Sequence, residues 1–116
     1  MNAATVTRSV VELRPARNTP AADELAEAVR LEAAQLAETG VEPIVRESEE
    51  VPGLELERHG RFVTVRYLPR TGRLWARYFV TGGRAYILEG STLGTWPIKV
   101  DRVVERVLAA YAERLA

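Results

Sequence analysis

Cysteine is absent from this 116-residue chain, and histidine and methionine occur once each. Without cysteine there is no disulfide scaffold, no thiolate zinc site and no thiol nucleophile. The lone histidine, His59, stands beside Gly60 between two strand patterns, where it reads as a turn residue rather than a general base. One neighbouring carboxylate, Glu57, does not make a metal site, so no metal is expected. Long apolar runs are missing too: stretches such as Tyr78-Phe79-Val80 fall far short of the roughly 20 residues that span a bilayer. The opening residues Met1 to Arg8 have neither the apolar core nor the small-residue cleavage site of a secretory signal, which makes a cytoplasmic location the expectation.

Catalytic patterns are equally scarce. No glycine-rich phosphate loop opens a helix, since Gly82-Gly83 leads into the strand-like Arg84-Ala85-Tyr86. Glu49 and Glu50 are adjacent and would point to opposite faces of a strand, so they form no acid/base pair. Ser91, Thr92 and Thr95 lie in a loop with no base nearby in the sequence. No catalytic residue and no cofactor is assigned.

The residues present describe one domain over 1–116. Apolar residues make up 47% and charged residues 28%, close to the averages for soluble globular proteins. A chain this long can bury roughly two-thirds of its unfolded surface. A first helix is expected over about Pro20 to Thr39. Thr19 can cap it, Pro20 suits its first position, Asp23 and Glu24 suit its positive end, and Gly40 follows as a stop. A closing helix follows from Val100, Val103, Val104, Val107, Leu108, Tyr111 and Leu115, which recur at spacings of three and four.

Between them the period changes to two. Pro52-Gly53 has the chemistry of a type II turn, while His59-Gly60 and Gly82-Gly83 read as two-residue hairpin loops, and Pro69 to Gly72 turns the chain once more. With an opening strand near Thr5 to Leu13, the element order is β-α-β-β-β-β-β-α. That is an α+β fold with an antiparallel or mixed sheet of about six strands.

These turns assign faces. Gly82-Gly83 sets Val80 opposite Ala85 and Tyr78 opposite Ile87, and His59-Gly60 sets Leu56 opposite Val63 and Leu54 opposite Val65. One face is then continuously apolar and requires a helical cover. The other carries Glu55, Glu57, Phe62, Thr64, Arg66, Leu68, Trp75, Arg77, Phe79, Tyr86 and Leu88. Either a second helix covers it, with Arg66 and Arg77 pairing with Glu55 and Glu57, or it is an open surface for a ligand or partner. The candidate binding residues are Phe62, Arg66, Trp75, Arg77, Phe79 and Tyr86. Burial of those aromatics would shift attention to Trp96, in the loop before the last helix, which reads as a core plug or a binding rim.

Sixteen basic residues balance sixteen acids, so bulk charge does not suit a polyanion partner. By position the balance is uneven. Residues 1–58 hold six arginines against twelve acids, whereas residues 59–116 hold ten bases against four acids. Arginines from Arg58 to Arg84 interleave with aromatics, a composition that can bind single-stranded nucleic acid. The acids of the neighbouring hairpin favour local neutralisation instead.

The run His59 to Tyr67, the run Gly72 to Val80, Gly83-Arg84-Ala85-Tyr86-Ile87-Leu88 and the closing amphipathic helix together resemble the PsbP-like and DcrB-like bacterial domains. The resemblance implies an α/β/α sandwich with helices on both faces of an antiparallel sheet. It also implies a non-catalytic accessory role in assembly or chaperoning. The function expected is therefore a non-enzymatic module for a protein or peptide partner. Single-stranded nucleic-acid binding through Arg58 to Arg84 is the alternative, and a small enzyme with an unidentified pocket a second. An open sheet edge makes a homodimer the expected assembly.

Overall fold

The computed structural model describes residues 22–68, 74–90 and 96–115, together with the backbone of residues 9–12. The elements are β1 (Ser9–Glu12), α1 (Ala22–Thr39), β2 (Ile44–Glu47), β3 (Leu54–His59), β4 (Phe62–Tyr67), β5 (Leu74–Thr81), β6 (Arg84–Gly90) and α2 (Ile98–Leu115). The fold is α+β. Strands β2 to β6 form a meander of antiparallel neighbours in chain order, and the short β1 pairs with β6 at the far side. The sheet is therefore open, with β2 at one edge.

The turns arise where glycine supplies a positive φ. Gly53 has φ 84° at the third position of a turn closed by a 3.2 Å bond from the Leu54 N–H to the Val51 carbonyl, as a type II turn requires. Gly82 and Gly83 have φ 61° and 77°, the two positive values of a type I′ hairpin. The β3–β4 turn departs from expectation. Its central residues are Gly60 and Arg61, with His59 opposite Phe62, so Leu56 faces Val65 and Leu54 faces Tyr67. Gly60 has φ 60° and no non-glycine residue described has a positive φ, which gives a turn with glycine at the first central position. The pairing moves by two residues, so every side chain keeps its expected face.

A second departure lies in β6. The register shifts between Arg77 and Tyr78, where Tyr78 faces Ile87 but Arg77 faces Glu89. The extra residue, Leu88, is a bulge that turns Glu89 onto the Arg77 side.

Helix α2 covers the apolar face. Val100, Val103, Val104, Leu108, Tyr111 and Ala112 pack with Leu54, Val63, Val65, Tyr78, Val80 and Ala85 in one cluster. The α1 helix ends as its sequence implies. Gly40 has φ 69°, and its N–H donates to the Leu36 carbonyl at 3.0 Å, an αL cap. Thr19 and Pro20 lie outside the described residues. No residue of α1 is buried. It meets the β3–β4 turn, where a Glu32 carboxylate oxygen accepts from the Arg61 N–H at 3.0 Å and a Cβ on Gly60 would lie 2.9 Å from Leu36. A sandwich needs a helix buried against each face, and α1 is not buried in that way.

Within the core, burial pushes the Tyr78 phenol upward, and Asp101 and Glu105 add to the shift. The native state therefore stays protonated where an unfolded tyrosine ionises. The stability this phenol contributes is complete below about pH 10 and declines above it, by up to about 1.4 kcal/mol per pH unit. Urea midpoints measured from about pH 9 to about pH 11 should fall, and Tyr78→Phe should make that fall shallower. Equal slopes in the two proteins would refute the assignment.

Candidate functional site

The face opposite α2 is built largely as an internal layer. Phe62, Phe79 and Tyr86 are buried at 4%, 1% and 2% exposure, with the first two rings 5.2 Å apart and tilted by 55°. These three rings offer little surface to a partner in this conformation. The remaining candidates on that face, Arg66, Trp75 and Arg77, are partly exposed. Arg66 reaches Glu57 at 2.9 Å and Glu55 at 3.3 Å. Arg77 lies 3.7 Å from Glu89 and 4.3 Å above the centre of the Phe62 ring. Trp96 is half-buried against the main core, and residues 91–95 of its loop lie outside the described residues.

Local pairing also accounts for most of the described arginines between Arg58 and Arg84. Besides Arg66 and Arg77, Arg61 donates to the Val80 carbonyl at 3.3 Å, and Arg84 is buried at 8% exposure. Arg70 and Arg73 fall outside the described residues. Such paired, half-exposed charges are each worth about 0–1 kcal/mol to stability. His59 is held structurally, its Nε2 donating to the Val41 carbonyl at 2.7 Å.

A different concavity stands out on the α2 side. Helix α2 packs over β5, β6 and β1, so the sheet beyond β4 extends past its cover. Between α2 and β2–β3 lies a groove of about 610 Å³. Ile44, Leu56 and Val63 from the sheet and Val103, Val107 and Tyr111 from the helix provide its apolar lining. One end is closed by an ion pair between Arg106 of α2 and Glu50 of the β2–β3 connection. That connection is fixed by Ser48, whose hydroxyl accepts from the Glu50 and Val51 N–H groups at 3.1 Å each.

The other end is cationic. The Arg58 guanidinium lies 4.9 Å from the centre of the Tyr111 ring, and that of Arg114 lies 5.9 Å from it. Burial raises the Tyr111 pKa, against the pull of Arg58, Arg61 and Arg114, while Glu32 adds to the rise. Arg58 lies four residues along β3 from Leu54, and Arg114 eight residues along α2 from Arg106. Those separations correspond to about 13 Å and about 12 Å, so the groove matches roughly four residues of extended chain.

Sequence reading placed Leu56, Val63, Val103, Val107 and Tyr111 in the core and missed the space they border. The available signals were the apolar pair Ile44-Val45 in a short strand and Arg114 three residues after Tyr111. The strand β2 is exposed along its length, with Ile44 at 45% and Val45 at 50% exposure. Among the described residues no helix is long and apolar enough to cross a membrane, and no group of His, Asp and Glu is placed to hold a metal ion. No family model, no curated protein and no solved structure matches the chain.

Proposed function

We propose that this protein is a non-enzymatic module that holds an extended segment of a partner protein along β2, in the groove beside α2. The observation that carries the reading is the coincidence of an apolar-lined groove of about 610 Å³ with an exposed sheet edge. An edge strand offers unpaired backbone N–H and C=O groups to an incoming strand, and alternate side chains of that strand would then enter the groove. An accessory role is also what the resemblance to PsbP-like and DcrB-like domains implies. The partly exposed Arg66, Trp75 and Arg77 form a separate surface, and this reading does not require them.

Fluorescent, amide-capped octapeptides alternating valine with threonine test the proposal. They should bind with saturation and shift the amide resonances of Ile44 and Val45. Ile44→Glu puts a carboxylate on an exposed groove position opposite Arg58, so it should fold normally and weaken binding about tenfold or more, since an apolar side chain of the peptide would then have to desolvate that charged group. Absence of binding by every peptide would reject the groove as a peptide site. Light scattering that showed a dimer abolished by Ile44→Glu would assign the edge to a second copy instead.

A further inference from the structure

We infer that the segment held in the groove carries a carboxylate, seated between Arg58 and Arg114 at the Tyr111 end; this rests on the peptide reading above. Four other described arginines have carboxylate partners: Arg30 with Glu27, Arg66 with Glu55 and Glu57, Arg77 with Glu89, and Arg106 with Glu50. Among the described residues, Arg58 and Arg114 instead converge on one ring, from β3 and from α2. Stacking on an aromatic ring leaves the in-plane N–H donors of a guanidinium available, and that planar fork matches a carboxylate.

The position of Arg114 in the last turn of α2 would by itself complement the helix dipole. The dipole gives no reason for Arg58 to lie over the same ring. The electrostatic surroundings of Tyr111 point the same way, because Arg58, Arg61 and Arg114 act on its hydroxyl against the single carboxylate of Glu32. Three acids, Glu47, Glu49 and Glu50, border the groove toward its opposite end, against Arg46 and against Arg106, which is joined to Glu50. That excess of acid disfavours a carboxylate there and directs a bound acidic side chain to the Arg58 and Arg114 end, which sets the direction of the segment as well as its chemistry.

The test uses amide-capped octapeptides that alternate valine with threonine and carry one aspartate at successive positions, each beside its asparagine counterpart. A further set has an uncapped C-terminus and no aspartate, which separates a side-chain acid from a terminal one. One aspartate position, or the free terminus, should bind about tenfold more tightly than its uncharged counterpart, as expected for a charge-assisted hydrogen-bond pair. The double variant Arg58→Gln, Arg114→Gln should lose this preference, binding each aspartate peptide and its asparagine counterpart equally, with an unchanged circular dichroism spectrum and urea transition to show that it is folded. Arg58→Lys should keep only part of the preference, since it retains the charge without the fork. Equal binding of aspartate and asparagine peptides would overturn the carboxylate and leave the groove reading intact. Failure of all peptides would overturn the groove reading itself. An oligothymidine that bound more tightly than every peptide, and lost that binding in the double variant, would make the anion a nucleic-acid phosphate and reject the proposal.

Discussion

Phe79→Ala is expected to lower the stability of the folded chain by about 3–5 kcal/mol. Phe79 is 1% exposed and lies 5.2 Å from Phe62, whose ring is covered in turn by the Arg77 guanidinium at 4.3 Å. Truncation removes the buried ring, leaves a cavity against Phe62 and ends an aromatic contact of about 0.5–1.5 kcal/mol. With a urea dependence of about 1–3 kcal/mol per molar, the unfolding midpoint should fall by about 1 M or more. Trp75→Ala, on the same face but only half-buried, should cost less. A loss below about 1 kcal/mol for Phe79→Ala would show that this face is open in solution. It would then return Phe62, Phe79 and Tyr86 to candidacy as a binding surface.

The faces of the sheet were legible because they depend on parity. The sequence placed the β3–β4 turn at His59-Gly60, whereas the chain turns at Gly60-Arg61, but a shift of two residues leaves Leu54, Leu56, Val63 and Val65 on the α2 side. Gly82-Gly83 and Pro52-Gly53 were placed correctly, since few other residue pairs satisfy the positive φ values of those turns. The pairing of Arg77 with Glu89 was not legible, because a bulge at Leu88 leaves no trace in side-chain periodicity and brings Glu89 to the Arg77 side.

The groove was illegible for a different reason. Its existence depends on where β1 pairs: by joining β6 it leaves β2 as an edge, while α2 packs toward the β1 side. Strand order and helix offset are long-range choices that local patterns do not encode. The ion pairs of Arg66 with Glu55 and Glu57, in contrast, were foreseeable from cross-strand spacing alone. Parity likewise puts Arg58, two residues after Leu56, on the α2 side; what the sequence could not show is that it meets Tyr111 there.

Leu108→Ala should destabilise the protein by about 2–5 kcal/mol, whereas Leu31→Ala should change its stability by less than about 0.5 kcal/mol. The two leucines lie in helices of equal length, 18 residues each, but α2 buries six residues and α1 none. Leu108 is 0% exposed in the cluster with Val65, Val80 and Ala85, so the space left by its truncation cannot fill with water at low cost. Leu31 is 54% exposed and loses little when shortened. Helix α1 depends instead on local devices: the Asp23 and Glu24 charges at its start, the Glu27–Arg30 pair, and the αL cap at Gly40. A tertiary hydrogen bond, from the Arg61 N–H to Glu32, ties it to the β3–β4 turn. Amide exchange in α1 should therefore proceed through local opening, faster than in α2, whose central amides should exchange only with global unfolding. In Leu108→Ala the α2 rates should rise in step with the loss of global stability while those of α1 stay nearly unchanged. Slow exchange in α1 together with a severe effect of Leu31→Ala would mean that α1 packs as a second buried layer, completing the sandwich that the resemblance implies.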